Sequence, residues 1–309
     1  MIEIFLKTLP FFAIIGLGFG AGRTGFFTEE ATAWLTKFVF YFALSAMLFR
    51  FTATLELEAA LDWTFMGAYL AATLVVYLVM TGLSYARGRT TAEVAVEAQC
   101  AVIGNVGFLG IPMLALLLGP AALGPVILVL AVDLIVFGSL IVILITGSRD
   151  GRVSPAVLMT VGRGLLANPM IVSIALGFGW SALSLPIPGP LDEFLTLLGA
   201  AATPGALFAI GASLAGKAAT RMSDAALLSV FKLVLHPAAV AVAALWVFPV
   251  DPFAAGVMIA SAALPVAGNV YILAQHYNVA PGRVSASILI STAVSVLSVS
   301  LVIAWVSQL

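Results

Sequence analysis

Two asparagines stand in closely similar, strongly apolar stretches of this chain. Residues 102–109 read VIGNVGFL and residues 266–273 read VAGNVYIL, so that Asn105 corresponds to Asn269 and five of eight positions are identical. An uncharged amide can donate hydrogen bonds to a carboxylate without bringing a permanent charge into an apolar interior. We therefore interpret the pair as binding groups for a small anion, although such residues can also cap helices or join them by hydrogen bonds. The flanking residues included in this candidate site are Gly104, Val106, Gly268 and Val270.

Each asparagine lies near a proline that is expected to break a helix. Pro112 lacks the N–H that would bond the Phe108 carbonyl, and Pro265 does the same to the Ser261 carbonyl. In lipid each freed backbone group costs several kcal/mol, so this backbone is expected to face protein, water or a ligand. The N-termini of the resulting half-helices would add partial positive charge for an anion.

Three ionisable residues stand inside apolar segments. Asp133 is in the middle of one segment, and Lys232 and His236 lie four residues apart on one face of another. A charge within a membrane is expensive and usually functional, so these residues are candidates for binding a coupling proton or sodium ion. Alternatively, Asp133 is a structural carboxyl, and His236 packs beside a proline. A Lys232–Asp133 pair would neutralise both charges.

Two glutamates, Glu93 and Glu97, lie four residues apart on one helical face. They either line a vestibule or pair with Arg87 and Arg89, and we favour the pairing.

The composition places the chain in a membrane. Its 309 residues are 62% hydrophobic and 9% charged, with a mean hydropathy of +1.18, whereas a soluble domain carries about 25% charged residues. The net charge of -1 offers no basic stripe for nucleic acid, which is excluded as a partner. The single cysteine, Cys100, excludes an internal disulfide and a cysteine-based metal cluster. We predict no metal site and no organic cofactor.

The apolar runs predict ten membrane-spanning helices, since a helix needs about 20 apolar residues to cross the bilayer core. The fold class is therefore an all-α integral membrane protein. The ten predicted segments are 2–21, 31–52, 63–85, 92–117, 121–147, 164–184, 192–216, 224–247, 253–277 and 284–306.

The basic residues predict the orientation of these segments. Nine of them fall in loops on one side, whereas Lys7 and Arg50 lie on the side of both termini. Because cytoplasmic loops are enriched in Lys and Arg, we expect both termini outside the cytoplasm of a bacterial-type inner (plasma) membrane. The longest loop is expected at about 148–163. The nine residues are Arg23, Arg87, Arg89, Arg149, Arg152, Arg163, Lys217, Arg221 and Arg283.

The two halves of the chain resemble each other. LGFG at 17–20 recurs at 176–179, and SAMLF at 45–49 parallels PGALF at 204–208, both at an offset of 159 residues. With five segments in each half, the halves would cross the membrane in opposite senses. Inverted repeats with interrupted helices are the architecture of secondary transporters. The predicted repeats are 1–149 and 164–309.

Five motifs resemble those of the auxin efflux carrier family, which includes plant auxin exporters and many bacterial carriers. They follow in order along the chain as FVFY at 38–41, GNVGFLGIP at 104–112, ANP at 167–169, KLVLHP at 232–237 and LPVAGNVY at 264–271. The resemblance implies a five-plus-five inverted repeat, like that of the bile-acid/sodium symporters, with broken helices 4 and 9 crossing. It further implies a scaffold of segments 1, 2, 6 and 7 that forms a homodimer, and a mobile transport domain of segments 3–5 and 8–10.

The resemblance also implies residue roles. In the auxin exporters the substrate carboxylate meets asparagine at the crossing and segment 2 lines the pocket, which points to Asn105 and Asn269, with Leu44 and Ser45 as pocket wall. The family commonly has proline where Ser45 stands, while Pro204 keeps it in the second half.

These observations predict a secondary active or facilitated transporter of small organic anions that works by alternating access. By resemblance the substrates are malonate- or malate-like carboxylates or auxin-like acids. The alternative is a sodium- or proton-coupled ion exchanger on the same fold. An enzyme is not expected, because Asp133 is the only aspartate in the middle of a predicted span and no Gly-x-Ser-Gly motif occurs.

Overall fold

The computed structural model describes residues 2–55, 62–150, 155–216 and 222–309, which are helical almost throughout and contain no β-strand. The predicted all-α membrane protein is confirmed. Three of the basic residues used to predict the orientation, Arg152, Lys217 and Arg221, lie outside these ranges, as does the side chain of Arg149.

The described helices occupy all ten predicted segments. Seven of them are long and apolar enough to cross a membrane: α1, α2, α3, α5, α7, α8 and α10. The remaining three segments are pairs of shorter helices, so the chain is a multi-span membrane protein with interrupted elements. The bounds are α1 Ile2–Arg23, α2 Glu29–Thr54, α3 Trp63–Ala86, α4a Thr91–Val102, α4b Val106–Leu118, α5 Pro120–Asp150, α6a Pro155–Ala167, α6b Pro169–Ala182, α7 Gly189–Ala215, α8 Met222–Val247, α9a Pro252–Ala262, α9b Gly268–His276 and α10 Pro281–Val306.

The middle of the chain differs from the prediction. No long loop covers 148–163 among the described residues, since helix continues to Asp150 and α6a begins at Pro155. The sixth segment is a bent pair, with α6a and α6b at 68°. The bend lies at Asn168, whose side chain accepts a hydrogen bond from Met170 N–H at 3.0 Å and so caps α6b. Because Pro169 disfavours helical backbone at the residue before it, the bend follows from the ANP sequence.

Glycines allow α1 and α7 to pack backbone against backbone. A Cβ atom added to Gly18 would stand 2.1 Å from the Phe208 carbonyl oxygen, and one added to Gly211 would stand 1.9 Å from the Ile15 carbonyl oxygen. No larger residue fits at either position without moving a helix. The small residues of segment 1 are therefore explained by helix packing.

The helices form two packing groups. The first group contains α1, α2, α6b and α7, and the second contains α3, α4a, α4b, α5, α8, α9a, α9b and α10. In addition, α6a packs on both α5 and α6b, and α4b also contacts α1 and α7. Between the groups, α1 contacts α10 through a buried hydrogen bond of 2.8 Å that joins Thr8 and Ser300. The division of the segments into a scaffold and a transport domain, the relative movement of the two and the inverted repeat stay predictions.

Five short π-helical turns interrupt the described helices, at 39–43, 106–110, 133–137, 231–235 and 243–247. Such turns are rare and frequently lie at functional sites. Three of them follow or contain a candidate residue, namely Asn105, Asp133 and Lys232.

Candidate functional site

The interruptions of α4 and α9 lie side by side. Residues 103–105 and 263–267 run antiparallel, and Gly104 forms an isolated bridge with Val266. The Asn105 N–H donates to the Pro265 carbonyl at 2.8 Å, and the Ala267 N–H donates to the Ile103 carbonyl at 3.1 Å. Each interruption therefore satisfies backbone groups that the other leaves free, as an apolar environment requires.

Pro112 does not mark the interruption of α4, and this part of the prediction is corrected. The chain leaves the helix at Ile103 and resumes at Val106, where the Asn105 carbonyl accepts from both Leu109 N–H and Gly110 N–H, at 3.1 and 3.0 Å. Pro112 lies in the first turn of the α-helical part that follows the π-turn, where its missing donor is tolerated. Pro265 does lie within its interruption.

Asn105 and Asn269 both lie at the N-terminal ends of half-helices. Asn105 directly precedes the π-turn of α4b and is buried, and Asn269 is the second residue of α9b. At such ends unpaired N–H groups and the helix dipole favour an anion. The Oδ1 atom of Asn269 is buried and has no hydrogen-bond partner among the described residues. Rotation of this amide would present an N–H at the same place, so the side chain can serve a ligand as acceptor or donor.

The neighbours of the asparagines differ in exposure. Val106 and Val270 are fully buried in the core, whereas Gly268 is exposed at the start of α9b. The two valines therefore hold the site by packing in the core, and Gly268 is the neighbour that a ligand can approach.

The glycines of the GNVGFLGIP motif let α4 approach three other helices. An added Cβ on Gly104 would stand 3.2 Å from Lys232 Nζ, and one on Gly107 would stand 2.6 Å from Met170 Cε. A Cβ on Gly110 would stand 2.6 Å from Leu264 Cδ1 at the α9 interruption. The spacing of three residues therefore places glycines where α4 meets α8, α6b and α9.

The α2 helix reaches α4b through an aromatic pair that the sequence did not suggest. Phe40 stacks on Phe108 with ring centroids 6.4 Å apart and planes at 5°. Leu44 is buried in the core, and Ser45 is half-buried with its hydroxyl donating to the Phe40 carbonyl at 3.2 Å. The assignment of Leu44 and Ser45 to a pocket wall stays a prediction.

The three ionisable candidates are all buried within the second packing group. Asp133 is 3% exposed, while Lys232 and His236 are 0% exposed. Asp133 Oδ1 accepts a hydrogen bond from Tyr69 Oη at 2.8 Å, and its Oδ2 is buried with no partner in the described part of the chain. His236 Nε2 lies 3.1 Å from the hydroxyl of Thr73. These contacts tie α3 to α5 and to α8.

Lys232 reaches the α9 interruption instead of Asp133. Its Nζ donates to the Ala262 carbonyl and lies 3.1 Å from His236 Nδ1. Among the described residues no direct Lys232–Asp133 ion pair forms, so the predicted pairing is wrong. The reason is that Lys232 and Asp133 each have hydrogen-bond partners on other helices.

A second cluster of charged residues lies within the second packing group. Arg89 Nε lies 3.3 Å from Glu97 Oε1, as predicted, and Ser84 donates to Glu97 Oε2 at 2.6 Å. Arg283 of α10 binds both Glu93 and Glu97. The expected pairing of Glu93 with Arg87 or Arg89 is thus replaced by Arg283.

Asp224 of α8 forms ion pairs with both Arg87 and Arg89. Arg87 binds its Oδ1, and Arg89 NH2 donates to its Oδ2 at 2.7 Å. Neither Asp224 nor Arg283 was recognised as a partner from the sequence, because both are more than a hundred residues away along the chain. The cluster joins α3, α4a, α8 and α10.

A cavity of about 510 Å³ lies between the two packing groups. Its walls come from α1, α2, α7 and α4b, including Pro112. Arg50 lies on its wall and forms a two-pronged pair with Asp192, with Nε–Oδ1 and NH2–Oδ2 distances of 2.6 and 3.2 Å. The sequence identified Arg50 as a basic residue only, and its pairing across 142 positions carries no local signal.

Comparisons with known proteins cover nearly the whole chain. The family model described as "Membrane transport protein" matches residues 3–303. A protein of Rhizobium meliloti (strain 1021), named "Putative malonate transporter", is 31% identical over 303 residues, which are 97% of this chain and 95% of the relative.

Proposed function

We propose a substrate class and a mechanism for this chain, which belongs to the membrane transport protein family and carries the motifs of the auxin efflux carriers. It is a secondary transporter of small organic anions, and its substrates are carboxylates of the malonate and malate kind. The similarity to the Rhizobium meliloti protein supports this choice over auxin-like acids.

The observation that carries the proposal is the pair of half-helix N-termini at the adjoining interruptions of α4 and α9. Each has an asparagine in its first positions, and the interruptions are hydrogen-bonded to each other. Helix N-termini bind carboxylates through free N–H groups and the helix dipole. Two such ends suit an anion with one or two carboxylates, and the amides of Asn105 and Asn269 supply directional donors.

The movement that we propose is alternating access. The first packing group acts as a scaffold and forms a homodimer, as in the family that the motifs resemble. The second group carries the asparagines past it. The cavity between the groups supports this division, since α2 and α7 form one side of it and α4b forms the other.

A second candidate is a sodium- or proton-coupled ion exchanger on the same fold. It is favoured by the buried positions of Asp133, Lys232 and His236, because ionisable side chains within membrane spans usually serve ion or proton pathways. Transport that depends on sodium or pH, and loses that dependence in Asp133→Asn, would support this reading.

The test of the anion transporter uses purified protein in proteoliposomes on a solid-supported membrane. Mono- and dicarboxylates are applied in turn to wild type and to Asn105→Ala, with and without sodium and a pH step. We expect a dicarboxylate-evoked current that Asn105→Ala loses. Silence towards every anion, with a response to sodium or pH alone, would favour the exchanger. Counterflow of radiolabelled malonate decides the case in which the current is silent because transport is electroneutral.

The orientation is tested by cysteine labelling. We propose both termini outside the cytoplasm, so that Leu309→Cys faces outward and Phe26→Cys, in the connection between α1 and α2, faces the cytoplasm. Both side chains are exposed, and the native Cys100 is buried. A membrane-impermeant maleimide applied to intact cells is expected to label position 309 and to leave position 26 unlabelled until the cells are opened. The reverse pattern would invert the topology.

A further inference from the structure

The cavity between the two packing groups carries one charged side chain on its wall. Of the described residues that line it, Arg50 alone is charged, and the others are apolar apart from Thr196 and Thr203. Its volume of about 510 Å³ falls within the range of about 300–1,000 Å³ that is usual for small-molecule sites. A small anion that enters this cavity therefore meets one cation in apolar surroundings.

The present partner of Arg50 is itself a carboxylate. Asp192 of α7 accepts from two nitrogens of the guanidinium, with Nε–Oδ1 and NH2–Oδ2 distances of 2.6 and 3.2 Å. This is the forked geometry in which arginine binds carboxylates in general, through two roughly parallel N–H···O bonds. The Asp192 carboxylate thus occupies the position that a carboxylate of a ligand would take.

The pair is accessible enough to exchange its carboxylate. The side chains of Arg50 and Asp192 are 32% and 38% exposed, whereas those of Arg283 and Glu97 are 5% and 1% exposed. A buried ion pair is costly to separate, because each charge is left without water. An exposed pair contributes little, because water hydrates the separated charges. Asp192 can therefore release the guanidinium to another carboxylate at a small cost.

The cavity lies close to the interruption of α4 but does not include it. Pro112 of α4b lines the wall that faces α2, and it follows Asn105 by seven residues, which is about 10 Å along a helix. Phe108 stands between these two residues in the chain, and its ring stacks on Phe40 of α2. An anion bound at Arg50 is thus near the interruption and has not yet reached Asn105.

We propose that Arg50 binds a carboxylate of the substrate inside the cavity, in exchange for Asp192, before the substrate reaches Asn105 and Asn269. The inference rests on the proposed function, since it concerns the same carboxylates. The permanent charge of the guanidinium attracts an anion into an apolar cavity, and its fork matches a planar carboxylate. Asp192 neutralises Arg50 while no substrate is present and competes with the substrate for it.

This competition separates a binding role from a structural one. If the pair only ties α2 to α7, Arg50→Gln and Asp192→Asn remove the same tie and act alike. If Arg50 binds the substrate, they act in opposite directions, because the first removes the binding group and the second removes its competitor. Glu193→Gln is the matched control. It makes the same change of charge at the next position of α7, where the side chain is exposed and forms no ion pair with Arg50 within the described chain.

The first test measures binding without transport, in Asn105→Ala protein purified in detergent. A ligand that binds the folded state raises the melting temperature. When sodium malonate replaces sodium chloride at equal ionic strength, we expect a rise that added Arg50→Gln abolishes, added Asp192→Asn enlarges and added Glu193→Gln leaves unchanged. Malonamide, the uncharged analogue of malonate, is expected to give no rise.

Three results of this test would overturn the proposal: a rise that Arg50→Gln leaves intact, a rise that Arg50→Gln and Asp192→Asn both reduce, or an equal rise with malonamide. A rise that is present in wild type and absent from Asn105→Ala would also contradict the Arg50 site, and the proposed function would stand. Absence of a rise in wild type would contradict the proposed substrate itself.

A further variant covers the case in which Arg50→Gln does not fold. Arg50→Lys keeps the charge and loses the fork. We expect a smaller rise with malonate than in the parent Asn105→Ala protein. An equal rise would show that the fork does not bind the carboxylate.

The second test measures uptake of radiolabelled malonate by intact cells, which present the substrate on the side where we place the Arg50 end of α2. We expect the KM to be about tenfold higher in Arg50→Gln and about threefold lower in Asp192→Asn. Vmax is expected to change little in either variant, because neither residue contacts Asn105 or Asn269. A lower Vmax in both variants with an unchanged KM would assign the pair to structure alone and overturn the proposal.

Discussion

Asn105 and Asn269 differ from Asn168, the other asparagine at the start of a half-helix, in whether the side chain is available to a ligand. Asn168 also begins a half-helix, but its oxygen is used by the Met170 N–H. The buried Oδ1 of Asn269 has no partner within the described ranges, and Asn105 ends a segment whose backbone is already hydrogen-bonded to the α9 interruption. A buried polar atom without a partner costs about 1–3 kcal/mol, so a ligand that satisfies it gains that amount.

Asn105→Ala and Asn269→Ala are therefore each expected to weaken carboxylate binding by about 1–3 kcal/mol, which is about 5- to 150-fold in Kd. Isothermal titration of the purified protein with the carboxylate found in the current screen measures this directly. Asn168→Ala is the matched control, because it removes a helix cap and is expected to lower stability while leaving Kd unchanged. Wild-type affinity in both site variants would remove the asparagines from the site.

The buried charged residues form local networks, in which one side chain forms ion pairs or hydrogen bonds with several others. Glu97 is 1% exposed and meets Arg89, Arg283 and Ser84. Removal of one partner from a buried ion pair costs about 3–5 kcal/mol, because the other charge remains buried. The cluster therefore stabilises the second packing group only as a complete set.

Arg283→Gln is expected to lower the free energy of unfolding by about 3 kcal/mol, the lower end of that range, since Arg89 still faces Glu97. Unfolding in mixed detergent micelles measures the change. Arg23→Gln, at an exposed arginine, is the control and is expected to have little effect. The double variant Arg283→Gln/Glu93→Gln should recover part of the loss. If Arg283→Gln is as stable as wild type, the cluster contributes nothing to the group.

At the scale of helices, the sequence predicted the elements well and their interruptions less well. Apolar runs of sufficient length identified all ten segments, because the bilayer sets a minimum length that few other patterns meet. The interruption of α4 was predicted at Pro112 but lies at 103–105. This segment contains no proline and is stabilised by hydrogen bonds to the α9 interruption, so the sequence did not indicate it. The Arg50–Asp192 and Arg283–Glu97 pairs join segments that are distant along the chain, which no local pattern encodes.

The close packing of α1 on α7 gives a prediction at this scale. In Gly18→Ala the new methyl group meets the Phe208 carbonyl oxygen, and overpacking of this kind costs about 1–3 kcal/mol. In Gly20→Ala, on the same helix, no atom from any other helix of the described chain lies within 4 Å of the new methyl group, so stability is expected to be unchanged or slightly higher. Melting temperatures in detergent compare the two. Equal values would mean that α1 and α7 adjust freely.

At the scale of the whole molecule, the two packing groups meet where α1 contacts α10 and where α1 and α7 contact α4b. The Thr8–Ser300 hydrogen bond joins α1 to α10, and the cavity separates α2 and α7 from α4b. Each group is internally linked, the first by glycine packing and the second by the two polar networks. A molecule organised in this way can move one group against the other without breaking its costliest buried interactions, which is what alternating access requires.

A disulfide across the groups should therefore stop transport. The hydroxyls of Thr8 and Ser300 are 2.8 Å apart, so cysteines at these positions are close enough to join, in a Cys100→Ala background. We expect the oxidised pair to abolish carboxylate transport and a reductant to restore it. The control pair is Gly256→Cys/Val306→Cys, where an added Cβ on Gly256 stands 3.3 Å from Val306 Cβ and both helices belong to the second group. This bond should leave transport intact. Because both disulfides restrict the protein but only the first joins the groups, normal transport with the first disulfide formed would mean that the groups do not move as separate bodies.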